Sequence, residues 1–330
     1  MMTRKNREFN WRSVLTATLL ASLAIGSATL AEEPGKKFPE GISPSDVYAT
    51  VDRLNRSVDV LLAAKQIPLP PPQRSLESGL GPFHAYQLQL ACIEKLHAFQ
   101  RNTGMRPIPL VVSTPMKYFP ADVKKVADLM LAEVRKVAST WNVEGLPDGV
   151  NKVSGKTPTD VVKATLNLFA KLSALGGLTK ISPSEVYAQI TRAVVDGESI
   201  LKQIDPASRY LVDAPVSEPG KTPADAFARC LELRREINKL REGLGLNTTP
   251  VPRITAGQQL QPADVFMQTQ IIIAELNLLK MNTDTVSSTP LAIPVQGKTA
   301  TDVHQQVAFL QYLIPQVRSL RAMVAQAGGH

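Results

Sequence analysis

Three short patterns, Gly155-Lys156-Thr157, Gly220-Lys221-Thr222 and Gly297-Lys298-Thr299, end like a loop that cradles phosphate with backbone N–H groups and a lysine. Such a loop needs a further glycine five residues upstream, and Val150, Pro215 and Ala292 stand there instead. Each Thr also sits just before a helix start, so the pattern reads as a helix entrance capped by Thr. Histidine, a general base and metal ligand, occurs only at His84, His97, His304 and His330. His84 and His97 share a helix but lie 13 residues apart, which is not metal-ligand spacing. His84 and His304 fall in first helical turns, where solvated or cap-associated roles are expected. Cys92 and Cys230 occupy core positions of equivalent helices in separate halves, too far apart to bridge, and read as buried free thiols. No Cys-x-x-Cys-His occurs, and Glu-x-x-His occurs once, at Glu94 to His97, where a di-iron bundle needs it on two helices; covalent-haem and di-iron bundles are thereby excluded. No catalytic, cofactor-binding or metal-binding residue is assigned, and no enzyme is expected.

One recurring feature has no capping role. Tyr48, Tyr86, Tyr187, Phe227 and Phe266 each follow the first core position of a helix. They are the candidate interaction residues. The plainer reading packs them against apolar connectors; the sharper one makes them a ring around an end-on pocket.

The elements that carry these residues repeat. A proline, two residues and an apolar residue recur at Pro44, Pro82, Pro120, Pro158, Pro183, Pro223 and Pro262, with Ala300 in the eighth place. Most steps are 38 to 40 residues, but Pro158 to Pro183 is 25, and copies one to four recur as five to eight at offsets of 139, 141, 142 and 142. The chain is therefore expected to be a tandem duplication of a four-helix bundle-like module. Ser43-Pro44-Ser45-Asp46 shows the signal in full: a capping hydroxyl, Pro at the first helical position, and an acid reaching back to the cap. Gly81-Pro82-Phe83-His84 is the weakest copy, with His84 in place of the acid.

After each start, positions spaced +4, +3, +4, +3 are apolar, as in Val47, Val51, Leu54, Val58 and Leu61. Only Gln89, Thr165, Thr269 and Gly197 break that rule. This is the seam of packed helices, and the fold class is all-α. Helices are expected near 44–65, 82–101, 120–141 and 158–175 in a first module, 32–178. In a second, 179–326, they fall near 183–203, 223–243, 262–281 and 300–324, with a disordered tail, 327–330, after it. Leu175-Gly176-Gly177-Leu178 reads as a C-cap and hinge between two separately folding modules. The Pro-rich connectors, such as Ile67-Pro68-Leu69-Pro70-Pro71-Pro72, mix proline with aliphatic residues and are expected to lie extended against the bundle. Their length permits either up-and-down helices or helices that all point one way, and short-range packing favours up-and-down.

Residues 1–31 read as a cleaved signal peptide: Arg4, Lys5, Arg7 and Arg12, then an apolar stretch from Val14 to Ile25, then Thr29-Leu30-Ala31. Without it, 33 basic and 28 acidic residues leave a net charge of +5. The most basic helix interleaves Arg234, Arg235, Lys239 and Arg241 with Glu232, Glu236 and Glu242, which reads as a solvated face rather than a nucleic-acid patch. The expectation is a non-catalytic periplasmic or secreted protein, bacterial, binding another envelope or extracellular macromolecule or itself. No nucleic acid, no cofactor and, after signal cleavage, no integral membrane segment is expected. The alternative is a periplasmic small-molecule binding protein of the four-helix sensor kind.

Overall fold

Every position of the expected seam is buried, its polar exceptions included. The computed structural model describes residues 41–327 apart from 108, 110–117, 179, 207–214 and 256, and the backbone alone from 320 onward. The expected signal peptide and residues 328–330 lie outside the described residues. Eight α-helices follow in order: α1 Pro44–Ala64, α2 Pro82–Asn102, α3 Pro120–Thr140, α4 Pro158–Leu175, α5 Pro183–Ile204, α6 Pro223–Glu242, α7 Pro262–Met281 and α8 Ala300–Ala327. There is no strand among the described residues. The fold is a tandem array of helical repeats.

The starts are built as their sequences require. Ser43 and Asp46 form a reciprocal box, with the Ser43 N–H donating to Asp46 Oδ2 at 2.7 Å. Thr157, Ser182, Thr222 and Thr299 repeat it. Phe119 and Gln261 lack a capping hydroxyl yet keep the other half, donating their N–H to Asp122 and Asp264. The ends follow a common rule, of which the C-cap expected at Gly176-Gly177 is one case. Gln66, Gly104, Asn142, Gly177 and Gly245 all have positive φ, and the next residue's N–H reaches back five residues, as from Leu178 to the Ser173 carbonyl at 2.8 Å.

α1, α2, α3 and α4 surround one core, each of α1 and α2 packing on both α3 and α4; α5 to α8 repeat this arrangement. Burying one large aliphatic side chain there contributes roughly 1.5–3 kcal/mol. The helix direction differs from expectation. Pro44, Pro82, Pro120 and Pro158 ring a single mouth of the first bundle, and Pro183, Pro223, Pro262 and Ala300 ring one of the second. All four helices of each bundle therefore point the same way. The up-and-down reading fails because links 65–81, 103–119, 141–157, 205–222, 243–261 and 282–299 are long enough to return along a helix. Roughly 17 extended residues span about 55 Å, against about 30 Å of helix.

Only 176–182 is brief, and it joins the two bundles. It needs no return, because the bundles run opposite ways. The start of α2 faces the far halves of α6 and α7, with Phe83 against Arg241 and His84 against Glu275, while Lys95 near its end pairs with Glu185 at the start of α5. Gly41–His330 cluster as one compact unit, with α2 packed on α7. The connectors pack in part: Ile67, Leu76, Leu80, Val143, Leu146, Leu246, Val251 and Leu260 lie on the core, but Leu69, Val216, Val286, Leu291 and Ile293 stand exposed.

Candidate functional site

Chemistry-bearing side chains converge at the seam between α2 and α7. Both helices are buried nearly all round; α7 buries Val265, Phe266, Met267, Ile271, Ile272, Ile273 and Ala274. A helix of that composition belongs in the interior. Its duplicate, α3, carries Lys124, Asp128 and Arg135 on the surface instead. The polar groups on α2 and α7 meet one another across the seam. Gln87 Nε2 donates to Gln270 Oε1 at 3.2 Å, and Gln270 Nε2 donates to Gln189 Oε1 at 3.1 Å. Arg192 holds Glu94 through both terminal nitrogens, at 3.1 and 2.9 Å.

The core of the seam is a fully buried cluster. Arg234 Nη1 donates to Glu77 Oε2 at 3.0 Å and to Gln268 Oε1 at 2.8 Å, and Nη2 donates to the Pro250 carbonyl at 3.0 Å. Gln268 Nε2 closes the ring onto Glu77 Oε1 at 2.6 Å. Beside it, Glu275 Oε1 faces Arg241 at 3.4 Å, His84 Nε2 at 3.8 Å and Arg234 Nε at 3.9 Å. Arg234 and Arg241 thus correct the reading of α6 as a solvated charged face: both guanidiniums are buried, while Arg235 and Glu242 remain outside. Charge alternation along a helix does not reveal that a second bundle covers it.

His84 is cap-associated as expected, but buried rather than solvated. Its Nδ1 accepts from the Gly81 N–H at 2.9 Å, which leaves the proton on Nε2, toward Glu275. Burial pushes its pKa down, more than Glu275 pulls it up. Glu275 is held below the ordinary carboxylate range by His84, Arg234 and Arg241, against its own desolvation. His304 is buried too, and its Nε2 accepts from Arg229 Nε at 2.8 Å. His97 is buried on α2, where burial lowers its pKa. Cys92 and Cys230 are free and buried, and burial pushes both thiols up.

The Gly-Lys-Thr patterns stitch helix starts together. The Lys156 N–H donates to Ser45 Oγ of α1 at 3.0 Å and the Lys298 N–H to Ser184 Oγ of α5 at 3.0 Å. The Lys221 N–H reaches Thr301 Oγ1 of α8 at 3.1 Å, and the Leu80 N–H reaches Thr159 Oγ1 of α4 at 3.1 Å. Lys156 and Lys298 lay their ammonium groups over the rings of Tyr48 and Tyr187, each at 4.5 Å. The five candidate aromatics are therefore not brought together. Tyr48 and Tyr187 sit half-buried under lysines, Tyr86 is buried beside Tyr118, Phe227 is in the second core, and Phe266 stacks on Phe169 across the seam at 4.4 Å.

Two polar core exceptions satisfy themselves: Thr165 and Thr269 hydroxyls donate to the carbonyls of Val161 and Val265. Gln89 does not, and both its amide atoms are buried without a hydrogen-bond partner. Among the described residues no group of three or more His, Cys, Asp or Glu is placed to hold a metal ion, and no helix is long and apolar enough to cross a membrane. Comparison of the chain with protein families, curated proteins and solved structures gives no match.

Proposed function

We propose that this chain is a non-catalytic, exported helical-repeat scaffold whose task is to engage another macromolecule of the envelope or extracellular space. The observation that carries this reading is where the side chains go. Each bundle axis is filled by its own seam, and each mouth encloses an empty volume of only about 200 Å³, open solvent included. Ligand pockets usually occupy about 300–1,000 Å³. The titratable cluster of Glu77, His84, Arg234, Arg241 and Glu275 is meanwhile buried at the seam, its members facing one another. What faces outward is helix surface and proline-flanked aliphatic chain, including Leu69, Leu291 and Ile293. The basic and apolar pattern of residues 1–25 supports export.

The test is affinity capture from an envelope extract with the full chain, beside the variant Leu291→Ser/Ile293→Ser. A partner retained by the first and lost by the second supports the scaffold reading; equal capture by both removes the connector surface from it. A small-molecule reading rests on one observation, the unpartnered Gln89 amide one layer beneath the first mouth. A thermal-shift rise of several degrees with an amino acid, organic acid or sugar, abolished by Gln89→Leu, would favour it instead.

A further inference from the structure

α1 is the duplicate of α5, and both helices set an arginine in the same way. On α5, Arg192 Nε donates to the Pro290 carbonyl at 2.5 Å, which aims the two terminal nitrogens at Glu94 of α2. On α1, Arg53 stands 139 residues earlier, and its Nε donates to the Pro147 carbonyl of the matching connector at 2.7 Å. Its terminal nitrogens meet no carboxylate among the described residues. Burial and the charge of Arg135 push the Arg53 pKa down, more than Asp148 of the connector pulls it up.

The acid beside the arginine repeats as well. Glu185 caps Ser182 with Oε2 and pairs with Lys95 through Oε1, so α5 reads Glu94 and Lys95 of α2 side by side. Asp46 holds the Glu185 place on α1 and caps Ser43 with Oδ2, which leaves Oδ1 outside the cap. α1 packs on α3 as α5 packs on α7. The first bundle therefore repeats the face on which α2 lies in the second. Gln270 and Asn277 of α7 both meet Gln87 of α2; Asp128 and Arg135 hold their places on α3 and stand exposed. Lys124 replaces Phe266 there, so the repeated face is the more basic of the two.

A second copy of the chain does not suit it. The duplicate of α2 is α6, which carries Arg235 and Glu236 where α2 carries Glu94 and Lys95. Seated in the same register, α6 of another copy would set Arg235 against Arg53 and Glu236 against Asp46. Two like-charge contacts oppose a seam that would otherwise repeat head to tail from copy to copy.

We propose that the α1–α3 face seats a helix of a partner protein, acidic overall and bearing an adjacent Glu-Lys pair. Arg53 forks onto the glutamate as Arg192 does onto Glu94, and Asp46 takes the lysine as Glu185 takes Lys95. This names a surface and a partner class within the scaffold reading, and rests on it.

The probe is a fluorescent helical peptide of alanine and glutamate with one central Glu-Lys pair, titrated with the full chain at low salt and followed by anisotropy. The expected result is saturable binding that weakens about tenfold in Arg53→Glu, the loss of one bidentate ion pair. Arg235→Glu makes the same charge change on α6 and should leave binding within about twofold. Reversing the peptide's pair to Lys-Glu should weaken binding to the wild-type chain, a comparison that needs no variant to fold. No binding, or equal binding of the two peptides, overturns the proposal. Equal losses in the two arginine variants do the same, since they would mean charge attraction alone, as for any anionic polymer. Oligomers of the chain that Arg53→Glu disperses would put a second copy on this face and overturn the partner assignment. Envelope capture that survives Arg53→Glu removes this surface and leaves the scaffold reading standing.

Discussion

A guanidinium with no exposed surface, held by a carboxylate, an amide oxygen and a carbonyl, loses more than one contact when it is truncated. Arg234→Ala leaves Glu77 buried without its cation and Glu275 with one fewer, and should cost about 3–5 kcal/mol in urea denaturation. Arg235→Ala, one residue along on the exposed side, should change stability by no more than about 0.5 kcal/mol. Equal losses would contradict the buried cluster. His84 sets the pH response of the same seam. Its folded pKa lies below the ordinary value of about 6.5, so the unfolded chain takes the proton first. The stability tied to neutral His84 is present above that value and is lost as pH falls below it. His84→Gln keeps an acceptor for the Gly81 N–H and should flatten part of this loss as pH falls below about 6.5; an unchanged pH profile would contradict it. Asp46, Asp160, Asp225 and Asp302 act lower down. Their pKa values are depressed by the capping bonds, so their share is lost as pH falls from the ordinary carboxylate range downward.

At the scale of the element, the seam was legible because helix starts and heptads are local signals. Every a/d position named by spacing is buried, and each start falls where Ser, Thr or Pro places it. Two things were not local. The all-round apolar character of α2 and α7 was visible in Leu88-Gln89-Leu90-Ala91-Cys92-Ile93 and Ile271-Ile272-Ile273, but counting only a/d positions discards the second face. The acid missing from the α2 start was the other clue: His84 stands where the box meets Glu275 of the opposite bundle. Caps in different places should therefore differ in worth. Asp46 is exposed, and Asp46→Ala should cost about 0.5–1 kcal/mol. Asp264 is buried and also pairs with Arg74 at 3.3 Å, so Asp264→Ala should cost about 1–3 kcal/mol. Thermal melts of the two variants decide it, and a smaller loss for Asp264→Ala would contradict the seam.

At the scale of the whole molecule, the parallel bundle explains why the start signal is so insistent. Four aligned helices bring about +2 of dipole charge to one end of a bundle, which the first-turn carboxylates offset. Setting the two bundles antiparallel places the positive end of one beside the negative end of the other. The repeat spacing carried this topology: six steps long enough to run back, and one of 25 residues where the chain has no need to. Spacing alone does not say which way a connector travels. The seam also bears on whether the halves stand alone. A chain cut after Gly177 should stay associated through gel filtration and unfold in one transition, because separation would uncover Phe169, Phe266 and the Arg234–Glu77 pair. Two halves that part and melt independently would contradict a structural seam.

The most direct test of the architecture is a distance between the ends of α2 and α3, neighbours in the chain and in the bundle. Asn102→Cys and Ser139→Cys place labels at two exposed helix ends, while Cys92 and Cys230 stay buried. Helices that point the same way, with axes about 10 Å apart, predict a spin-label separation of about 10–20 Å by pulsed electron resonance. A separation of about 30 Å or more, the length of a helix, would mean that they run up and down, and would contradict the parallel bundle.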